Sequence, residues 1–393
     1  MAASLLAMDH FNARYPVIVQ ELSSASLSKE VCGVQFSKLG VVDNELDKQA
    51  VRANLPVYLK NSEERKCTAV IGSSISSIDL VSYSSSKKFD ASFVSPIAQQ
   101  GGVYNADNAY PSLGQNITYS SKAVFDYMVQ IERAYVGVVY ADQGFSMSFW
   151  RNFDNHARKD DDFYAKGERF NSRKIEGEKS GSINDALWKI NKTGYRTIMI
   201  VMETDLWLGR IAREAAKLNM VDNYFWVFVI ELPLRLQNYD NPELLFADEE
   251  WNGIFNGAAF IFSSKSMLHS AGSSSVFQKW SKDNGLIERV QHYLPPNADE
   301  GALQSSLFST TVAPFVYDAV ISSGIGACHA QAKQAKGDIT NIPGRAITAE
   351  ISRLEVIGAR KQSELLVDHH IGGSQVRVLN TFLIRNESTG LSM

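Results

Sequence analysis

The sequence contains none of the motifs that mark the common enzyme classes, and it contains no long apolar run. There is no Gly-x-Ser-x-Gly nucleophile elbow, no Walker-type phosphate-binding loop and no Gly-x-Gly-x-x-Gly fingerprint among its 393 residues. No apolar stretch approaches the roughly 20 residues that a membrane-spanning helix needs. We therefore expect no membrane span in this chain and no enzymatic activity.

An excess of charge of one sign is also missing. The chain has 39 basic and 43 acidic residues, which gives a net charge of −4, so the composition does not suggest a nucleic-acid partner. Histidine is scarce, and the adjacent His369 and His370 cannot share one helix face as metal ligands four positions apart would. We expect neither a metal nor another cofactor.

Cysteine is nearly absent, with only Cys32, Cys67 and Cys328. This odd count leaves two interpretations open: a Cys32–Cys67 disulfide with Cys328 free, or three unrelated buried thiols. Three Asn-x-Ser/Thr sequons give weak support to a secreted protein, because such triplets often arise by chance in a chain of this length. The candidate glycosylation sites are Asn116, Asn191 and Asn386.

The most informative stretch that is present runs from residue 182 to residue 232. Its segments Thr197–Met202 and Phe225–Ile230 are continuous apolar runs, the pattern of strands that are covered on both faces of a parallel sheet. Between them, apolar residues recur at helical spacing. These residues are Trp207, Ile211, Ala215 and Leu218. The order predicts a strand–helix–strand unit with Glu203 and Glu231 at its strand ends.

Helices and strands alternate along most of the remaining chain and give way to a β-rich end. This order predicts a doubly wound α/β fold in two similar halves. The predicted elements include a strand over Cys32–Leu39 and a helix over Asn44–Leu59 that ends near Pro56. Asp318 lies beside Tyr317 in a predicted helix, and we assign it a structural role.

Polar residues at the ends of predicted strands are the candidate binding residues, because ligands of open parallel sheets bind beyond the carboxyl ends of the strands. Gly72, Ser73 and Ser74 separate a strand from a helix, and their N–H and hydroxyl groups suit an anion. On these residues alone, serine capping of the helix is the simpler explanation. Glu203 and Glu231 are placed to receive a ligand amine, and helix capping by surface carboxylates is the alternative.

Several motifs, spread over most of the chain, resemble the receptor-family ligand-binding region, which has the type I periplasmic-binding-protein fold. This family includes the ectodomains of metabotropic glutamate, GABA-B and natriuretic-peptide receptors, and bacterial branched-chain amino-acid binding proteins share the fold. Each motif is weakly specific, and their order and spacing carry the resemblance. The motifs are Ala7–Asn12, Ala69–Ser74, Val136–Asp142, Ile198–Val201 and Phe315–Val320.

The resemblance implies an α/β fold of two lobes, each a doubly wound and mainly parallel sheet, with a ligand in the cleft between them. Lobe 1 is expected to hold about residues 1–122 and 240–340, and lobe 2 about residues 123–239 and 341–393. Family positions that line the ligand correspond to Ser73, Ser74, Ala98, Gln99, Tyr140 and Asp142.

The leading hypothesis from this resemblance is the extracellular ectodomain of a cell-surface receptor. It would bind a small, amino-acid-like ligand, signal by lobe closure to a membrane effector outside this chain, and dimerise through lobe 1. The alternative is a soluble solute-binding protein that serves a transporter. A third hypothesis, an enzyme on a flavodoxin-like sheet, is disfavoured by the missing motifs. The family's first strand, signal peptide and transmembrane helix are not found, which predicts a fragment or a diverged member.

Overall fold

The structure is a computed structural model, and it divides into two compact units. Unit 1 comprises Met1–Gln100, Tyr104–Gly114 and Met267–Gly372, and unit 2 comprises Gly101–Val103, Gln115–Ser266 and Gly373–Met393. The residues that the structure describes are 2–37, 48–63, 69–73, 75–96, 112, 117–171, 181–221, 223–232, 254–255, 258–263, 313–334, 342–357, 364–366 and 376–380.

Helices and strands alternate through the described residues. The helices are α1 (Ala2–Ala13), α2 (Lys48–Glu63), α3 (Ser76–Lys88), α4 (Ile117–Gln130), α5 (Gly144–Ala157), α6 (Ile183–Asn191), α7 (Leu208–Lys217), α8 (Ala313–Lys333) and α9 (Gly344–Ile351). The strands are β1 (Ala69–Ile71), β2 (Ser92–Val94), β3 (Tyr135–Ala141), β4 (Tyr164–Phe170), β5 (Thr197–Thr204), β6 (Phe225–Leu232), β7 (Ala259–Ser263), β8 (Glu355–Ile357), β9 (Glu364–Leu366) and β10 (Val376–Asn380).

Unit 2 is built on a sheet in which the described strands follow the order β10-β7-β6-β5-β3-β4. All neighbours in this sheet are parallel except β10, which pairs antiparallel with β7. The strand–helix–strand unit predicted between residues 182 and 232 is confirmed as β5, α7 and β6. The expected α/β fold with parallel strands is therefore confirmed.

The sheet of unit 2 is covered on both faces, which explains why its strands are apolar without alternation. On one face, α4 and α5 pack their aromatic and aliphatic side chains against Met199 and Val201 of β5. On the other face, α6 lies so close to β3 that a Cβ atom at Gly137 would stand 2.3 Å from Cγ2 of Ile190. All eight residues of β5 are buried as a result.

Unit 1 is organised around the packing of α1 on α8. Both helices are apolar on nearly every side, the pattern of helices inside a core. A Cβ atom at Gly324 would stand 2.5 Å from the ring of Phe11, so the glycine lets the two helices approach closely. The buried His10 and Tyr317 join the helices through a hydrogen bond of 2.8 Å between Nδ1 and the phenol oxygen. Among the helices that the structure describes, α8 included, none is long and apolar enough to cross a bilayer.

The segment after α1 is held by side chains of that helix and of the residue that follows it. The guanidinium of Arg14 donates hydrogen bonds to the carbonyl oxygens of several residues; they are Phe11, Leu27, Cys32 and Val34. Asn12 donates to the carbonyl of Phe36 and accepts from its N–H. These side chains take the place of a neighbouring strand, so the predicted strand over Cys32–Leu39 is wrong for its described residues, 32–37.

A disulfide joins Cys32 to Cys328 of α8, with 5.3 Å between the two Cα atoms. The interpretation that paired Cys32 with Cys67 is therefore wrong, as is the one with three separate thiols. The packing of α1 on α8 brings the two cysteines together across 296 residues of sequence. Cys67 itself lies outside the described residues.

The expected helix end and two lobe boundaries also differ from the structure. Helix α2 continues through Pro56 to Glu63. Strand β7 pairs with β6 and so lies in unit 2, whereas the expected boundaries put residues 240–340 in lobe 1. Helix α9 lies in unit 1, where Thr348 accepts a hydrogen bond from the N–H of Phe93 in β2. The expected boundaries had put residues 341–393 in lobe 2.

Candidate functional site

The carboxyl ends of β3, β5 and β6 meet at one edge of the unit 2 sheet. Glu203 and Glu231 each lie between two consecutive pairs of the β5–β6 register, so they stand opposite each other on neighbouring strands. Neighbouring strands are about 4.8 Å apart. The two side chains are only 1% and 0% exposed. The prediction that these two glutamates share one edge is confirmed, but they are buried and not surface carboxylates.

Both glutamates belong to the face of the sheet that α5 covers, because they continue the alternation of Val201 in β5 and Val229 in β6. The carboxylate of Glu203 accepts a hydrogen bond from the backbone N–H of Phe145 at 3.2 Å. Helix α5 has no side-chain cap from its own N-cap residue, Gln143. Glu203 therefore satisfies an N–H group in the first turn of α5, as a side-chain cap would.

Tyr140 lies at the end of β3, on the same face of the sheet. Its ring stacks on Trp150 of α5, with 5.7 Å between the ring centroids and 17° between the planes. Burial raises the pKa of Tyr140, and the neighbouring Arg169 opposes that rise. Asp142 follows β3, and its N–H donates to the carbonyl of Phe170, which extends the β3–β4 pairing by one hydrogen bond. The face thus carries a stacked aromatic pair over β3 and β4 and two buried carboxylates on β5 and β6.

In unit 1, the turn between β1 and α3 holds a carboxylate that belongs to the chain itself. Oδ1 of Asp79 accepts hydrogen bonds from the N–H of Ser73 at 2.5 Å and from its hydroxyl at 3.0 Å. A Cβ atom at Gly72 would stand 2.6 Å from both carboxylate oxygens, so glycine is required for this approach. Asp79 is fully buried. In the structure the carboxylate that these donors bind is Asp79, and ligand binding by Ser73 stays a prediction.

The remaining candidate residues divide into described and undescribed ones. Asn191 is described, and its side-chain oxygen accepts a hydrogen bond from the hydroxyl of Tyr224 at 2.6 Å. Glycosylation there stays a prediction. Asp318, which we expected to be structural, is buried in α8. The candidates outside the described residues are Ser74, Ala98, Gln99, Asn116 and Asn386.

Sequence reasoning missed two residues of these sites, Asp79 and Trp150. An acidic residue in the first turn of a helix that follows Gly-Ser is the signal that would have identified Asp79. No sequence pattern indicates Trp150, because its contact with Tyr140 depends on how α5 crosses the sheet. In the described part of the chain, no group of three or more His, Cys, Asp or Glu side chains is placed to hold a metal ion.

Comparison with solved structures identifies the fold. A leucine-binding protein, LivK from Thermotoga maritima, matches with a TM-score of 0.60 and 15% identity over 97% of this chain and 90% of its own. LivJ from Streptococcus pneumoniae, the substrate-binding protein of a branched-chain amino acid transporter in complex with isoleucine, also matches. Its TM-score is 0.55 and its identity is 16% over 97% of this chain and 90% of LivJ. The chain has the type I periplasmic-binding-protein fold.

The receptor hypothesis is wrong on these comparisons. LivK and LivJ are ligand-binding proteins, and LivJ is the substrate-binding protein of a transporter, so these structures match the alternative hypothesis instead. No protein-family model matches the sequence. No curated protein matches it either.

Proposed function

We propose that this protein is a solute-binding protein that captures a small, amine-bearing molecule about the size of an amino acid and presents it to a transporter. The observation that carries the proposal is the pair of buried carboxylates, Glu203 and Glu231, at the carboxyl edge of the unit 2 sheet. Ligands of open parallel sheets bind at this edge. Two adjacent carboxylates favour a positively charged group there.

Aromatic rings on the same face of the sheet support the same ligand class. Tyr140 and Trp150 form a stacked pair on the face that carries Glu203 and Glu231. An ammonium group is attracted to the face of an aromatic ring as well as to a carboxylate. Asp142, just beyond β3, adds negative charge to this end of the sheet.

An extracytoplasmic location belongs to the proposal. The disulfide between Cys32 and Cys328 supports it, since structural disulfides persist in oxidising compartments. The similarity to a transporter's substrate-binding protein points in the same direction. Dimerisation through lobe 1 stays a prediction.

A thermal-shift screen with amines, amino acids and small organic acids tests the proposal. A ligand at 100 times its dissociation constant stabilises the folded protein by about 2.7 kcal/mol. We expect amine-bearing compounds to raise the melting temperature of the wild type. Glu231→Gln should lower the affinity for these compounds by about tenfold or more, as the loss of a buried charge partner does.

Glu214→Gln is the matched control, because Glu214 is a mostly buried glutamate of α7, outside β5 and β6, and its carboxylate bonds to Lys217 and Asn184. This variant should bind the hit as the wild type does. The proposal fails if no compound in the screen shifts the wild type, or if both variants bind the hit with wild-type affinity.

A further inference from the structure

The amino edge of the unit 2 sheet carries a row of side chains, called here the amino-edge row: Tyr164, Tyr135, Arg196 and Tyr224. Tyr135 and Tyr164 form the first register pair of β3 and β4. Arg196 and Tyr224 come one residue before the first β5–β6 pair, which stands level with the second residue of β3. The hydroxyl of Tyr224 donates to Asn191 of α6, so the row lies on the face that α6 covers. At about 4.8 Å between strands, it spans about 14 Å.

The tyrosine rings of the row contact one another and are open to solvent. Tyr135 and Tyr164 stack with 5.1 Å between the ring centroids and 7° between the planes. Tyr195 also contacts Tyr135, at 5.8 Å. Tyr135 and Tyr164 are nevertheless 56% and 49% exposed. Tyrosine is enriched in protein interfaces, and the mutual contacts of these rings reduce the conformational entropy that binding a partner would cost.

Opposite charges flank these rings. The guanidinium of Arg196 is exposed and lies over the ring of Tyr224, 4.7 Å from its centroid. At the other end, the exposed Asp161 and Asp162 lead into β4 just before Tyr164. Two strand spacings, about 10 Å, separate Tyr164 from Arg196, so the two charged ends are too far apart to pair within one chain. In the described part of the chain, Arg196 and these aspartates form no ion pair.

We propose that the amino-edge row is the interface between two copies of this chain, related by a two-fold axis. Such an axis brings the same surface of both copies together, with the two rows running in opposite directions. The stacked tyrosines meet at the centre, and Arg196 of each copy faces Asp161 and Asp162 of the other. Charge complementarity favours this orientation, because like charges would meet if the rows ran in the same direction.

The remaining features of this edge agree with a second copy as the partner. Glu132 and Arg133 are also exposed there, but they are adjacent and of opposite sign, so they add no net charge. The row lies at the end of the sheet opposite Glu203 and Glu231, so a second copy does not cover these candidate ligand residues. The proposal is therefore independent of the proposed function. Because the row is short, we expect a small interface with a dissociation constant on the order of micromolar.

Sedimentation velocity over a concentration series measures this self-association. Tyr135→Ser and Arg196→Glu should each weaken the dimer by about tenfold or more, because one removes an aromatic contact and the other puts like charges together. Lys122→Glu is the matched control, since it reverses an exposed charge of α4, on the opposite face of the sheet. This variant should dimerise as the wild type does. Thermal melting followed by circular dichroism checks that each variant is folded.

Mixing two charge variants tests the two-fold geometry. Arg196→Glu and the double variant Asp161→Lys/Asp162→Lys should each self-associate at least about tenfold more weakly than the wild type, because like charges meet at both ends of the interface. An equimolar mixture of the two should form a dimer, since every end then joins opposite charges. A higher salt concentration should weaken the wild-type dimer, because these contacts lie at an exposed rim.

Three results overturn the proposal. The first is a wild type that stays monomeric at every concentration. The second is a mixture of the two charge variants that associates no better than either variant alone. The third is a dimer that Val57→Glu disrupts and Tyr135→Ser does not, because Val57 is an exposed residue of α2 and would place the interface on unit 1.

Discussion

Removal of the Cys32–Cys328 disulfide should lower the stability of the folded protein, because the bond closes a long loop. The bond closes a loop across 296 residues of sequence. The chain-entropy relation gives about 5–6 kcal/mol for a loop of this length, and native disulfides typically contribute about 2–4 kcal/mol. We therefore expect Cys32→Ala/Cys328→Ala to lose about 2–5 kcal/mol of unfolding free energy.

Urea unfolding, followed by circular dichroism, measures this loss. At an m-value of about 2–3 kcal/mol per M, the midpoint of the double variant should fall by about 1–2 M. A reducing agent should lower the wild-type midpoint and leave that of the double variant unchanged. Cys67→Ser should keep the sensitivity to reduction, because Cys67 takes no part in the bond.

Thiol titration in denaturant gives the result that refutes the reasoning. Of the three cysteines, two are bonded, so the oxidised wild type should show one reactive thiol. Three reactive thiols, or a peptide map that joins Cys32 to Cys67, contradict the assignment. An identical urea midpoint for the oxidised and reduced wild type contradicts the energetic argument.

Two further predictions concern charged side chains of unit 1. Arg14→Lys should lower the unfolding free energy measured in urea by about 2–4 kcal/mol, because a lysine cannot reach all the carbonyl oxygens that the guanidinium bridges. Arg133→Lys is the control, since Arg133 is an exposed arginine over the ring of Phe225, and its loss should be less than half as large. Glu350 is desolvated by burial, which acts to raise its pKa, but hydrogen bonds and charge from Lys333 and Arg353 outweigh this and lower the pKa below 4.5. Its stabilising effect is therefore complete above pH 4.5 and is lost as the pH falls through the lower folded-state pKa, so Glu350→Gln should flatten the dependence of stability on pH in this acid range. An unchanged acid dependence, or an Arg14→Lys loss equal to that of its control, contradicts the respective assignment.

Local patterns predicted most of the sheet of unit 2. The apolar runs over Thr197–Met202 and Phe225–Ile230 indicate strands that are buried on both faces, and this signal lies in the composition of each run. In the structure, β5 and β6 are each two residues longer than the predicted run. The positions of Glu203 and Glu231 followed from the same pattern, because the residues after a buried strand lie at its carboxyl edge. Their burial could not be predicted, since it depends on α5 folding over that edge.

Long-range contacts account for the predictions that failed. The cysteine pairing depends on α1 meeting α8, which no spacing between cysteines reveals. The predicted strand after residue 31 has suitable residue types, but Asn12 and Arg14 satisfy its backbone groups in place of a ladder. Both errors concern the segment that begins at Cys32. Its contacts are with α8 and with side chains at the end of α1, which are distant from it in sequence or are not visible as a strand partner.

The turn at Gly72 shows why residue type and position alone do not identify a ligand group. A glycine and a serine at a strand-to-helix turn indicate a place where N–H and hydroxyl groups can bind an anion. Which anion fills it depends on Asp79, six residues beyond Ser73, and on the absence of a single Cβ atom at Gly72. Because a carboxylate of the chain holds the donors at a fixed distance and high effective concentration, a free ligand carboxylate competes at a disadvantage. The hydrogen bonds of Ser73 are therefore set by Asp79 in the first turn of α3.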